Sequence, residues 1–280
     1  RGPASAPNGT RWGWPRGRAP TYAALDLGTN NCRLLVARPI VEDSHYGRRD
    51  SHGSFRIVDS FSRIVRLGEG LSQTGRLNEA AIERAIAALE VCRDKMIARG
   101  VTRARLIATE ACRAAENGDD FIARVRDRAG LSIEIVDRET EAHLAAAGCA
   151  SLADSDAEGV VLFDIGGGSS EVVWLSRDPR AAGRNGHRHP DVRQRVRVWA
   201  SLQLGVVSLA EKFGGLHVTA DTFEAMAGHV AEELRSFAER AGLQEKCDRF
   251  HLLGTSGTVT TLAGVHLGLP RYDRRRVDGL

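Results

Sequence analysis

The sequence predicts an α/β chain of two similar domains that face each other across a cleft. Two observations predict it. An apolar strand followed by an aspartate-led glycine turn occurs twice, as Asp26-Leu-Gly-Thr-Asn30 and as Asp164-Ile-Gly-Gly-Gly-Ser169, with the two aspartates 138 residues apart. Each turn is then followed by a second strand, a third strand and a helix. A length of 280 residues accommodates two such units.

The elements follow in order. Arg1 to Pro20 is rich in Gly, Pro, Ala and Arg and reads as a disordered tail. Its Trp12 and Trp14 leave a plain tail and an arm lying on a partner both open. The first strand begins at Tyr22 and the second reads Cys32 to Ala37. Asp43 to Ser54 is a polar turn, and Phe55 to Leu67 continues as strand. Asn78 caps a helix with apolar stripe Ile82, Ile86, Leu89, Cys92 and Met96, which stops at Gly100. A strand at Arg105 to Thr109, a helix near Asp119 to Ala129, a strand at Ile133 to Val136 and a helix from about Glu139 complete the first half. The second half restarts with Val160 to Phe163, then Glu171 to Leu175. Arg177 to Arg195 is a basic loop, and Val196 to Leu204 is strand. Asp221 and Glu224 form a capping box for a helix carrying Phe223, Met226, Val230, Leu234 and Phe237 on one face, closed by Gly242. A strand at Arg249 to Leu253 runs into Gly254-Thr-Ser-Gly-Thr258 and a helix.

Composition excludes several classes. No run of 18 apolar residues exists, so a membrane span is not expected. The first 20 residues contain no apolar segment of the kind a secretory signal needs. The five cysteines form no CxxC pair, which speaks against a disulfide framework or a cysteine zinc site and for the reducing cytoplasm. The net charge of +3 is unevenly placed: the tail carries +4 and Arg177 to Arg197 carries +5, leaving the remainder at −6. A mildly acidic body with two basic pieces is not a nucleic-acid binder. The basic segment is either a solvated hairpin connection or a guide for a long anion.

Familiar nucleotide motifs fail. Lys95, Lys212 and Lys246 each follow an acid, so no Walker A lysine is present. Gly166-x-Gly168 has Glu171 at the third glycine position and is followed by strand, which a dinucleotide fold does not allow. His187 and His189 sit in the basic loop and read as solvated. What remains is turns of Gly with hydroxyl and amide residues. Glycine lets successive backbone N–H groups converge on an anion. Thr29, Asn30, Asn31, Ser169 and Ser170 add side-chain donors, and Gly254-Thr-Ser-Gly-Thr258 presents a helix N-terminus. A carboxylate beside a phosphate requires a cation between them, so Asp26 and Asp164 suggest Mg²⁺. Each turn alone also reads as a plain hairpin turn, and the two aspartates also read as turn formers.

Together these segments resemble the exopolyphosphatase/guanosine pentaphosphate phosphatase family. Tyr22 to Ala37 resembles its first phosphate motif and Phe163 to Glu171 its second. Thr109-Glu-Ala-Cys-Arg113, Glu139-Thr-Glu-Ala142, Ser201-Leu-Gln-Leu-Gly-Val-Val207 and Leu253-Gly-Thr-Ser-Gly-Thr258 match four further segments in order. The resemblance implies two ribonuclease-H-like domains of the actin, heat-shock chaperone and sugar kinase type, at residues 21–145 and 146–280, with the second cut short at its C-terminus.

The same resemblance implies Mg²⁺-dependent release of terminal phosphate from inorganic polyphosphate or guanosine pentaphosphate. By motif position Glu141 activates water and Arg113 holds phosphate charge. Asp26, Asp164 and Glu171 hold metal, with Glu171 also orienting the water. Gly28, Thr29, Asn30, Asn31, Gly166, Gly167, Gly168, Ser169, Ser170, Gly254, Thr255, Ser256 and Gly257 grip the phosphates. Glu141 also reads as a first-turn helix acid, Arg113 as a surface arginine, and Glu171 as an outward strand residue. Thr140 and Asn31 depart from the family, which commonly has a second acid and a serine there. A non-catalytic polyphosphate or nucleotide sensor of the same fold is the rival reading, and a homodimer is an open partner expectation.

Overall fold

The computed structural model describes residues 20–40, 55–153, 157–176, 192–215, 217–243 and 250–277. The tail with Trp12 and Trp14, the polar turn from Asp43 and most of the basic loop, including Arg184, His187, Arg188 and His189, lie outside the described residues. The chain divides into two compact units, residues 1–136 and 137–280.

In the first unit, β1 (Tyr22–Leu27), β2 (Asn31–Pro39) and β3 (Phe55–Ile64) run antiparallel in series. Short α1 (Leu71–Thr74) and long α2 (Glu79–Ala98) precede β4 (Arg103–Ala108), which returns parallel to β1. Then come α3 (Glu110–Ala114), α4 (Gly118–Ala129) and β5 (Glu134–Ile135), giving the sheet order β3-β2-β1-β4-β5. In β1, Ala23, Leu25 and Leu27 are buried while Tyr22, Ala24 and Asp26 are exposed, the period-two pattern of a strand with one covered face. That face packs under α2. Asn78 caps α2 by accepting from the Ala81 N–H at 2.8 Å, and the whole expected stripe from Ile82 to Met96 is buried. β3 stops at Ile64, three residues short of the expected end. The chain bends there, and Val65 and Leu67 are fully buried.

The second unit opens with α5 (Arg138–Cys149), whose Ala142 and Ala146 pack against Val160, Leu162, Val173 and Leu175. It packs within the second unit, and the chain divides between residues 136 and 137. After a 3₁₀ turn (Ala150–Leu152) come β6 (Gly159–Ile165) and β7 (Ser170–Ser176). A second 3₁₀ turn (Val192–Gln194) precedes β8 (Val196–Leu202). Helices α6 (Val206–Phe213) and α7 (Ala220–Ala241) lead to β9 (Phe250–Thr255), α8 (Ser256–His266) and α9 (Arg274–Val277). The sheet order is β8-β7-β6-β9, with β6 antiparallel to β7 and parallel to β9. This repeats the β3-β2-β1-β4 core of the first sheet, so the duplicated turn belongs to a duplicated strand arrangement.

Two expectations need correction. α7 is capped by Thr219, whose hydroxyl accepts from the Thr222 N–H at 3.2 Å, so Asp221 lies inside the first turn and no Asp221/Glu224 box forms. Phe223 of its expected apolar face is 59% exposed, while Phe237 and Ala241 carry the burial. α6 occupies a stretch that the sequence reading left unassigned. Cys32, Cys92, Cys112 and Cys149 are free thiols, and no helix among the described residues is long and apolar enough to cross a membrane.

Candidate active site

The two glycine turns share one backbone geometry. Gly28 N–H donates to Asn31 O at 2.9 Å, and Gly166 N–H donates to Ser169 O at 2.9 Å. Each turn follows its strand two residues after an aspartate. The first turn is braced by the bend after β3: Asn30 O accepts from the Val65 and Arg66 N–H groups, and Thr29 O accepts from Gly68 N–H. Thr29 is buried with its methyl against Gly68, where an added Cβ would come under 3.0 Å from it. Packing therefore occupies much of the Thr29 side chain.

The second turn is braced by α6. Gly166 O accepts from Val206 N–H at 3.0 Å, Gly167 O from Val207 N–H at 2.8 Å, and Gly168 O from Ser208 Oγ at 3.3 Å. Every peptide bond described is trans, and a planar trans peptide points its C=O and N–H in opposite directions. With those three carbonyls turned toward α6, the N–H groups of Gly167, Gly168 and Ser169 turn away from it together. Successive amides turned to one side are the arrangement from which backbone anion sites are built. Ser170 spends its hydroxyl on Leu204 O, and Ser169 is buried.

At the third turn, Gly254 lies against Phe163 and Val259, where a Cβ would come under 3.0 Å from both, so its absence of side chain serves packing. Ser256 has φ +91°, a conformation costly for a non-glycine residue. Its hydroxyl donates to Ile165 O at 2.7 Å, tying the start of α8 to β6. Thr255 caps α8 without a side-chain cap bond, so the α8 entrance keeps the orphan amides that every helix start has.

The strand registers align four polar side chains in one row. Thr255 of β9 lies opposite Asp164 of β6, Asp164 opposite Glu171 of β7, and Glu171 opposite Ser201 of β8. Opposed residues share a sheet face. Neighbours on this face, Val160, Leu162, Val173 and Leu253, pack toward α5. Glu171 is 3% exposed and accepts from Ser201 Oγ at 2.9 Å. Two adjacent carboxylates flanked by hydroxyls form an all-oxygen set, which fits Mg²⁺ completed by phosphate oxygens and water. Among the described residues, no three His, Cys, Asp or Glu side chains converge as a metal centre. Asp26 retains exposed surface at the end of β1. The protein mass around it nonetheless raises its carboxyl above the ordinary range by desolvation, with Arg33 opposing. A bound cation would reverse that direction.

Glu141 stands half-buried in the first turn of α5, which Asp137 caps by accepting from the Thr140 N–H at 2.6 Å. Cys149 closes the same helix beside Thr255, and eight helical residues place its Cα about 12 Å from that of Glu141. Arg113 belongs to the first unit and is held firmly. Its Nε donates to Glu110 Oε2 at 3.1 Å and its Nη1 to Val136 O at 2.6 Å. Glu110, buried at 6% exposure, was not singled out from sequence, nor were Ser201, Gly205 and Ser208. The (i, i+3) spacing of Glu110 and Arg113 was the one available signal. The other contacts depend on strand register and loop packing.

Comparison with known proteins identifies the family. The profile of the Ppx/GppA phosphatase family matches residues 48–275. Exopolyphosphatase 2 of Mycobacterium tuberculosis is 30% identical over 258 residues, covering 90% of this chain and 72% of that protein. A guanosine-5'-triphosphate,3'-diphosphate pyrophosphatase of Photobacterium profundum is 27% identical over 252 residues; 89% of this chain matches, but only 44% of that protein's length is spanned. A solved structure of the Aquifex aeolicus PPX-GPPA enzyme superposes with TM-score 0.66 at 28% identity, over 92% of this chain and 75% of that one. With its duplicated turns, paired carboxylates and a profile match over most of its length, the chain belongs to the Ppx/GppA phosphatase family.

Proposed function

We propose that the chain is a phosphoanhydride hydrolase that releases terminal phosphate from inorganic polyphosphate. The observation that carries the proposal is the placement of Asp164 and Glu171 side by side, two residues before Gly166 and three after Gly168 of the glycine turn. Phosphoryl transfer needs positioned phosphates, neutralised charge and an oriented nucleophile. The Gly167, Gly168 and Ser169 amides hold phosphate oxygens. The α8 entrance, with Gly257, holds others; the first turn, with Gly28, Asn30 and Asn31, is the corresponding anion site of the first unit, where Arg113 adds a guanidinium whose direction Glu110 fixes. Asp164 and Glu171 would hold Mg²⁺, which when bound would neutralise phosphate charge, and Asp26 is the corresponding carboxylate of the first unit. Glu141 accepts a proton from water as its oxygen bonds to the terminal phosphorus. The bond from that phosphorus to the bridging oxygen breaks, leaving inorganic phosphate and a chain one unit shorter. No covalent intermediate is required.

The name of the Photobacterium relative favours a second substrate, the 5'-triphosphate of guanosine pentaphosphate. Phosphate release from polyphosphate and from guanosine pentaphosphate, side by side with and without Mg²⁺, tests both. Release from neither substrate would overturn the proposal.

A further inference from the structure

Helix α6 does not offer its N-terminus to a ligand, because its first amides are already used. Val206 and Val207 donate to Gly166 O and Gly167 O, and Ser208 N–H reaches Gly167 O at 3.3 Å. Ser208 adds its side chain. Its Oγ accepts from Gly205 N–H at 2.8 Å, and its single proton is shared between Gly205 O at 3.1 Å and Gly168 O at 3.3 Å. Gly205 is buried so closely on the turn that no side chain fits between them.

We propose that Ser208 is a positioning residue for phosphate binding, through which the N-terminal turn of α6 aims and polarises the amides of Gly167, Gly168 and Ser169. The proposal rests on the reading of the second turn as an anion site. The peptide units of the turn stand in series between the helix and the anion. The N-terminal end of a helix carries a partial positive charge. A peptide whose carbonyl accepts a hydrogen bond donates more strongly through its N–H, by roughly 10–30% per bond. The α6 field is thus delivered to the anion through the turn rather than by direct contact.

Anchoring also matters because the turn contains three consecutive glycines, which lose more freedom on ordering than any other residue. Fixing them before ligand arrives removes that cost from binding.

The test uses inorganic tripolyphosphate as probe, titrated calorimetrically into the parent chain, Ser208→Ala and Ser208→Thr. Amide NMR shifts of Gly167, Gly168 and Ser169 are recorded on the same samples. Ser208→Ala should weaken binding about tenfold, the worth of one well-placed hydrogen bond. It should move the three amide resonances upfield without ligand and lower the melting temperature by only a few degrees, the cost of one buried amide left without its acceptor. Ser208→Thr keeps the hydroxyl and should bind within about twofold of the parent. Parental affinity in Ser208→Ala, equal loss in both variants, or a collapse of melting temperature in both would overturn the proposal while leaving the anion site standing. A parent chain that binds no tripolyphosphate would overturn the site and this proposal together.

Discussion

Replacing Gly205 with alanine is the sharpest structural perturbation of the second turn. The new Cβ would lie under 3.0 Å from Gly167 O, Gly167 C and Gly168 N, whereas ordinary contact is 3.4–4 Å. All three are backbone atoms, so no side chain can swing aside. The turn must retreat by about 1 Å to restore ordinary contact, which stretches the bonds from Val206 and Val207 to its carbonyls. Overpacking of this kind costs about 1–3 kcal/mol. For a protein of this size each kcal/mol lowers the melting temperature by roughly 2–4 °C. The retreat also rotates the Gly167 and Gly168 peptides, so tripolyphosphate affinity should fall about tenfold or more. Thermal unfolding and calorimetric titration of Gly205→Ala measure both effects. A variant with parental melting temperature and parental affinity would refute the account of how the turn is held.

Three further outcomes are expected. Asp59 accepts from Lys95 Nζ at 2.9 Å and Arg99 Nε at 2.8 Å, which holds its carboxyl down to about 2, so its contribution is complete above the unfolded value near 3.8 and is lost as pH falls from about 4 to about 2. The shift corresponds to roughly 2 kcal/mol at most, about 1 after screening of the half-exposed cations; Asp59→Asn should cost that at pH 7 and nothing below pH 2, and a urea-unfolding difference independent of pH would contradict it. Arg113→Ala should destabilise by about 3 kcal/mol or more, because buried Glu110 loses its guanidinium, and Glu110→Gln in the same chain should recover part of that; a melting curve unchanged by Arg113→Ala would sink the pairing. EDTA should abolish phosphate release and Mg²⁺ restore it, whereas full activity in EDTA would remove Asp164 and Glu171 from metal binding.

The duplication was legible because Asp-x-Gly after an apolar strand is a local pattern, and α2 was legible because Asn78 and a buried stripe from Ile82 to Met96 agree. α6 was not, since Gly205-Val-Val207 carries β-branched residues that favour strand locally. Its helix is supported by amides that bond carbonyls of the glycine turn, some 40 residues earlier. The α7 cap was misplaced because Asp221 and Glu224 satisfy the box spacing, while Thr219, two residues before, makes the bond. In the site, the aspartate-led turns were visible as motifs. The Glu171–Ser201 contact depends on the β7–β8 register, and the brace from Gly205 and Ser208 on loop closure; Ser201 and Gly205 stand in a matched segment, but their contacts do not follow from local spacing. Ser170 and Ser256 read as phosphate donors, yet their hydroxyls are directed to backbone carbonyls of Leu204 and Ile165.

Glu141 is proposed to activate water for attack on the terminal phosphate. Glu141→Gln preserves shape and hydrogen-bonding reach at the first turn of α5 while removing the base. Measured with polyphosphate and Mg²⁺, its turnover should fall about 10²- to 10⁴-fold while tripolyphosphate affinity stays parental. Turnover equal to that of the parent would contradict the mechanism.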